Sequence, residues 1–319
     1  MKNILITGGA GFIGLNISKR LIEMGYKVFV IDNFNRAKKD NEFKKIKKHK
    51  NFKIIAADLK KEIGLNVNFT HIFHLAAIVG VSNVNKYPYE TLQNNLETLV
   101  RVINYVKKNK FNSKIIFFSS SEVYSPLIHR GKARFPLKEN NQIIIPNKLI
   151  KRDSYLLSKY FGEKILEMSG LNYINLRPHN IYGPRMGSSH VIPELILKIS
   201  SPKKIVKIFS PNHKRAFCYI DDAINQILKL SLNKKINKDT FNIGNMNEEI
   251  SIYQLALKIK KLLKDDSILI KSKITEGSPR RRVPDMNKTM KLLKYKNKNK
   301  FCNLNLGITK TIKWYLNEN

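Results

Sequence analysis

The chain has 319 residues, 42% of them hydrophobic, with 59 Lys and Arg against 24 Asp and Glu for a formal charge of +35. Its two cysteines, Cys218 and Cys302, are far apart, which excludes a disulfide framework and a cysteine metal site and fits reduced thiols in a cytoplasmic protein. No apolar stretch has the length of a signal-peptide core or a membrane span, so secretion and membrane insertion are disfavoured.

Lys2 to Thr7 is a continuous apolar run that ends in glycines, the pattern of a buried parallel strand. Phe12 to Met24 then has helical periodicity, Gly25 closes it, and Lys27 to Ile31 reads as a second strand ending in Asp32. Further strands are predicted at Phe52 to Ala57, His71 to Leu75 and Lys114 to Phe118, with a helix from Glu90 to Lys108 between the last two. A helix follows Ser154 to about Met168, and Tyr173 to Arg177 is a short strand. Strands alternating with helices imply an α/β fold: a Rossmann-type doubly wound parallel sheet covered on both faces. From about Pro178 the pattern becomes irregular and is punctuated by Pro184, Pro193, Pro202 and Pro211. Residues 1–177 are therefore expected to form the sheet domain, and 178–319 a smaller, irregular ligand-binding region with segments that can return to the first domain.

The lysines are spread among asparagines and isoleucines, and runs such as Lys44 to Lys48 and Lys294 to Lys300 read as solvated faces. With no zinc-finger spacing or RNA-binding aromatic signature, nucleic acid is disfavoured and the charge favours a small anionic substrate.

In Thr7-Gly8-Gly9-Ala10-Gly11-Phe12-Ile13-Gly14, Gly8 permits a tight turn, Gly11 lets amides approach a pyrophosphate, and Gly14 lets helix pack closely on strand. The following helix directs its N-terminal partial charge at the phosphates. Asp32 at the end of the second strand can accept from an adenosine ribose and would repel a 2′-phosphate, so NAD is expected rather than NADP, with Arg36 and Lys38 nearby as opposing cations. Tyr155 and Lys159 are one helical turn apart and share a face; an ammonium beside a phenol stabilises phenolate and makes tyrosine usable as a base. Ser119-Ser120-Ser121-Glu122-Val123-Tyr124 ends an apolar strand and offers hydroxyls to a sugar. Arg215 and one of Arg280, Arg281 and Arg282 are reasonable diphosphate ligands, and His179, beside a proline, is expected to be structural.

These motifs, with Ala57-Asp58, His74-Leu-Ala-Ala77, Asn94 with Thr98, Arg177-Pro-His-Asn-Ile-Tyr-Gly-Pro184, Arg215-Ala-Phe-Cys-Tyr-Ile-Asp-Asp222 and Arg280-Arg-Arg-Val-Pro-Asp285, resemble the extended short-chain dehydrogenase/reductase family, specifically its NAD-dependent nucleotide-sugar epimerases and dehydratases, over nearly the whole chain. The resemblance implies transient oxidation at sugar C4 by Ser120, Tyr155 and Lys159, with Glu122 as base or orienting group. It implies an NAD site at Gly8, Gly11, Phe12, Ile13, Gly14, Asp32, Asn33, Asp58, Leu59, Leu75, Ala76, Ala77 and Asn94, joined by Tyr155 and Lys159. Ser121, Asn180, Arg215 and Arg282 would contact a nucleotide-diphosphate sugar, no metal is needed, and a homodimer is expected. Glu97 and Ser125 stand where the family usually has glycine.

Three reactions share the C4 step. Glu122 resembles the glutamate of dehydratases and decarboxylases, which favours 4,6-dehydratase-type chemistry over a UDP-sugar 4-epimerase by a small margin, although Ser121 replaces the aspartic acid of some dehydratases. UDP-glucuronate decarboxylation is a third possibility. A non-catalytic NAD- or nucleotide-binding protein is the reading from another class, and the intact Tyr155/Lys159 pair argues against it.

Overall fold

The computed structural model describes residues 2–61, 63–295 and 301–317. In chain order the elements begin with β1 (Asn3–Thr7), α1 (Phe12–Glu23), β2 (Lys27–Asp32), α2 (Asn41–Lys47), β3 (Phe52–Ala56) and β4 (His71–His74). They continue with α3 (Val81–Lys86), α4 (Pro88–Lys108), β5 (Lys114–Phe118), a 3-10 turn (Ser121–Tyr124), α5 (Ser125–His129), α6 (Asp153–Met168) and β6 (Asn172–Pro178). Next come β7 (Ile181–Tyr182), α7 (Val191–Ile199), β8 (Ile205–Ile208), β9 (Lys214–Ala216), β10 (Cys218–Tyr219), α8 (Ile220–Leu232) and β11 (Asp239–Ile243). The last are β12 (Glu249–Ser251), α9 (Ile252–Leu263), β13 (Ile268–Lys271), β14 (Arg281–Arg282), α10 (Asn287–Leu292) and α11 (Leu304–Asn317).

The chain divides into two compact units. The first comprises 1–123, 148–177 and 224–241; the second comprises 124–147, 178–223 and 242–319. The first is built on a seven-stranded sheet in the order β11-β6-β5-β4-β1-β2-β3, with parallel pairing from β6 across to β3. Strand order reverses between β1 and β4, and in such sheets the loops after these strands open the crevice in which ligands bind.

The burial of these strands explains their unbroken apolar runs. Ile4, Leu5, Ile6, Ile72, Phe73, Ile115 and Ile116 are fully buried, so alternation with polar residues would have been costly. On α4, Thr91, Asn95, Thr98, Leu99, Val102, Ile103 and Val106 form the buried stripe of a helix begun by Pro88 and ended by Lys107 and Lys108. Both α4 and α6 pack on each other beside β5, and Leu99, Phe117 and Leu166 belong to one core cluster.

In the second unit β9 carries β12 on one side, antiparallel, and β14 on the other, parallel. Separate two-stranded pairings join β7 with β10 and β8 with β13. Helix α9 has a full capping box, with Ser251 and Gln254 each satisfying the other's backbone. No helix among the described residues is long and apolar enough to cross a membrane. Lys44 to Lys48 runs from α2 into its C-cap, with Ile46 buried and Lys44, Lys45, Lys47 and Lys48 exposed, whereas Lys294 to Lys300 lies mostly outside the described residues.

Candidate functional site

The glycine-rich turn has the geometry a dinucleotide requires. Gly8 has φ +68°, and a Cβ there would stand 2.8 Å from the Ala76 nitrogen, so the turn after β1 and the loop after β4 touch backbone to backbone. At Gly14 a Cβ would meet the Gly9 Cα at 2.6 Å, which is why the first turn of α1 can press against the loop. Helix α1 has no acid in its first turn and no side-chain cap, so its leading amides and partial charge suit the pyrophosphate of NAD. Asp32 accepts from the Ala10 amide at 3.0 Å and the Phe34 amide at 2.8 Å, which ties the end of β2 to the glycine turn. A carboxylate keeps further lone pairs for a ribose hydroxyl. Arg36 lies within electrostatic range of both Asp32 and Tyr155. Asp58 follows β3 and caps its own turn through the Lys60 amide at 3.0 Å. Its neighbour Leu59 is core, and Asn33 closes a small turn through the Asn35 amide.

At the end of β4 the site is set by strand register. Thr7 and His74 are paired residues of β1 and β4, and the Thr7 hydroxyl lies 2.8 Å from His74 Nδ1. The same hydroxyl accepts from the Ala76 amide at 3.3 Å, so Thr7 ties the end of β4 to the loop that follows it. His74 is fully buried, and desolvation together with the charge of Lys159 pulls its pKa down to about 3, so the ring is neutral. Asn95, unremarked in the sequence reading, accepts from the Ile78 amide at 2.7 Å and donates to Ile78 O and to Ser158. It fastens the loop after Ala77 to α6 beside Lys159; the signal available was its place on the buried stripe of α4 next to Asn94.

On α6, Lys159 is 3% exposed, with Nζ 5.1 Å from the centre of the Phe117 ring and 5.7 Å from that of Tyr155. Helical spacing thus delivers the expected Tyr155/Lys159 neighbourhood. It also delivers more burial than the sequence suggests: desolvation brings the Lys159 pKa down to about 7.

The three serines after β5 have three different environments. Ser119 is buried and donates to Glu163, which holds Arg177 through two bonds of 2.8 and 2.7 Å. Ser120 is half-buried and its oxygen accepts the Glu122 amide at 3.1 Å, which starts the 3-10 turn and leaves the hydroxyl proton available. Ser121 is 3% exposed and therefore withdrawn in this structure. The Glu122 Oε1 accepts from Arg152 Nη2 at 2.6 Å, with the two side chains 14% and 16% exposed. Arg152 stands at the N-cap of α6, three residues before Tyr155, and the sequence reading did not single it out. At the positions where the family usually has glycine, Glu97 forms an i,i+4 ion pair with Arg101 and Ser125 is buried at the start of α5.

The second unit assembles the remaining expected residues. Arg215 on β9 and Arg282 on β14 are register partners in a parallel pair, so their side chains share a face, and each is 8% exposed. Arg281 points the other way, to Glu249 at 2.7 and 2.8 Å and over the Phe135 ring. Ser278 accepts from Arg215 at 3.0 Å and also lies 3.2 Å from His213. Asn180, at φ 43°, donates to Ala216 O at 2.9 Å and reaches Arg282 O at 3.5 Å, so it clips together the strands that carry the two arginines. His179 is fully buried and bonds Asn242, which also receives Tyr124 OH. Among the described residues no group of His, Cys, Asp and Glu could hold a metal ion.

Residues 4–244 match the model of the NAD dependent epimerase/dehydratase family. UDP-glucuronic acid decarboxylase 1 of Xenopus tropicalis is 29% identical over 99% of this chain and 73% of its own. UDP-N-acetyl-alpha-D-glucosaminuronate decarboxylase of Bacillus cytotoxicus is 28% identical over 98% of both chains. Among solved structures, UDP-glucose 4-epimerase of Thermotoga maritima superposes with a TM-score of 0.84 at 26% identity over 99% of each chain. With a parallel sheet, a glycine cradle and an aspartate-ended second strand matched by the family over most of its length, the chain belongs to the NAD dependent epimerase/dehydratase family and is an NAD-dependent enzyme of the nucleotide-sugar epimerase/dehydratase class.

Proposed function

We propose that the enzyme decarboxylates a nucleotide-linked uronic acid. The observation that carries this reading is the Glu122–Arg152 pair. Loss of water from C5 and C6 needs a base at C5 and an acid at the departing C6 hydroxyl. Here Glu122, two residues beyond Ser120, is engaged by a guanidinium, and the intervening position holds a buried serine where an acid would be needed. A 4-keto uronic acid requires neither group, because its carboxylate is β to the ketone and leaves as carbon dioxide with the bonding electrons passing to the C4 oxygen. The named activities of the Xenopus and Bacillus relatives point the same way.

NAD, when bound, supplies reversible oxidation at C4. Tyr155 takes the C4 hydroxyl proton, with Lys159 beneath its ring and the Ser120 hydroxyl directed at the same oxygen. As the C5–C6 bond breaks, Ser120 and protonated Tyr155 stabilise the enolate oxygen. A proton from water then reaches C5, and Tyr155 returns its proton when C4 is reduced. Arg215 and Arg282 bind the diphosphate, while Asn180 and Ser278 hold their strands and side chains in place. Two copies of the chain associate, as the family resemblance implies, and the two separate thiols, Cys218 and Cys302, favour the cytoplasm.

The second reading, a 4-epimerase, is favoured by the whole-chain superposition on the Thermotoga enzyme. Turnover in D2O separates the two: decarboxylation yields a pentose with one solvent deuteron at C5, read by NMR. A hexose product without deuterium at C5 would refute decarboxylation.

A further inference from the structure

The Glu122–Arg152 pair has an unusual position. Glu122 lies two residues beyond Ser120, and Arg152 lies three residues before Tyr155 on the first turn of α6. The pair therefore bridges the two elements that supply the groups assigned to the C4 oxygen. A sugar whose C4 hydroxyl sits between Ser120 and Tyr155 has C5, and the substituent it carries, within a bond or two of that point. The neighbouring pair Glu163–Arg177 is bidentate and sealed, whereas Glu122–Arg152 rests on one bond between an Nη2 and an Oε1 and retains 14% and 16% exposure. A guanidinium has five donors and binds carboxylates in a planar fork, so a single-bond partner uses a minor part of its capacity.

We propose that Arg152 is the residue that recognises the sugar carboxylate, and that Glu122 is its resting counter-ion, which competes with the substrate for the guanidinium. This rests on the uronic acid reading above and identifies the residue that enforces it. The pair neutralises Arg152, whose unpaired charge would otherwise be costly in a half-buried place. On binding, the C6 carboxylate takes the fork and the Glu122 carboxylate yields part or all of its bond. A neutral hydroxymethyl group at C6 cannot compete with Glu122, so the same exchange selects against ordinary hexoses. Arg152 thereby also orients the C5–C6 bond relative to the C4 carbonyl, which decides how readily carbon dioxide leaves.

The proposal predicts opposite signs for the two halves of one ion pair, a result that a structural salt bridge cannot give. Binding of UDP-glucuronate and of UDP-glucose would be measured by calorimetry on the NAD-loaded protein for wild type, Arg152→Gln, Arg152→Lys and Glu122→Gln. Arg152→Gln should lose UDP-glucuronate affinity by about 10- to 100-fold, as expected for a lost charge-assisted contact, with UDP-glucose changed little. Glu122→Gln removes the competitor and should bind UDP-glucuronate more tightly, and Arg152→Lys should recover part of the loss. Equal weakening of both ligands in Arg152→Gln, weaker uronate binding in Glu122→Gln, or a wild type that does not prefer the uronate would each overturn the proposal. If Arg152→Gln fails to fold, the sign of the Glu122→Gln effect decides alone. Failure of the decarboxylase reading is seen separately: wild type would then show this binding pattern and release no carbon dioxide.

Discussion

Two arginine–glutamate pairs hold α6, one to β6 and one to the turn after β5, and their difference shows how the same chemistry is used for a clamp and for a site. Glu163–Arg177 is 5% and 6% exposed, makes two parallel bonds and receives the Ser119 hydroxyl as a third. Glu122–Arg152 makes one bond, of 2.6 Å, is about three times as exposed, and flanks Ser120 and Tyr155 in sequence. The first is fully satisfied and has no reason to open. The second has unspent donors and a route to solvent, so a ligand can compete for it.

The largest expected effect comes from breaking the sealed pair. Glu163→Gln should destabilise the protein by about 3–5 kcal/mol, because Arg177 is left as an uncompensated buried charge. Glu122→Gln should cost only about 1–2 kcal/mol, since Arg152 can recover water. Urea unfolding of both variants measures the contrast, and equal losses would erase the distinction between clamp and site.

Lys159, on the same face of α6, gives the next effect. Its folded pKa of about 7 lies below the ordinary 10.5, so between these values the unfolded chain holds a proton that the folded chain has released. Stability should therefore rise as pH is raised from about 7 towards 10.5 and lose that dependence below about 7. Lys159→Met should remove this component of the slope in Tm against pH, and an unchanged slope would place the titration elsewhere.

The smallest effect belongs to the surface. Arg281→Ala should change stability by less than about 1 kcal/mol, because its pair with Glu249 is exposed, and should leave nucleotide-sugar KM as it is. Arg282→Ala should raise that KM by about 10-fold or more through loss of a charge-assisted contact. Similar KM values for the two variants would contradict the register-based choice between them.

Much of this arrangement was legible in residues whose neighbours are local. The apolar runs of β1, β2, β4 and β5 could be read because both faces of those strands are buried, and the Tyr155/Lys159 relation follows from one helical turn. Features that depend on register or on chain return were not legible. His74 meets its hydrogen-bond partner Thr7, 67 residues away, through the pairing of β1 and β4. Arg282 rather than Arg281 faces with Arg215 because β14 aligns with β9 in one register and not its neighbour. Arg152 and Glu122 are 30 residues apart, separated by a segment, 124–147, that belongs to the other unit. Opposite charges in so basic a chain offer many pairings, and only tertiary structure selects this one. That selection moved the preferred chemistry from water loss to loss of carbon dioxide, with the family-level reading unchanged.

The central claim is tested most directly by the mass of the product formed when the purified protein and NAD are incubated with UDP-, GDP-, CDP- and dTDP-linked hexoses and hexuronates. The account predicts that a hexuronate loses carbon dioxide and that the neutral hexoses keep their mass. Loss of water from a neutral hexose, or a neutral hexose epimerised at C4 while every hexuronate is returned unchanged, would contradict it.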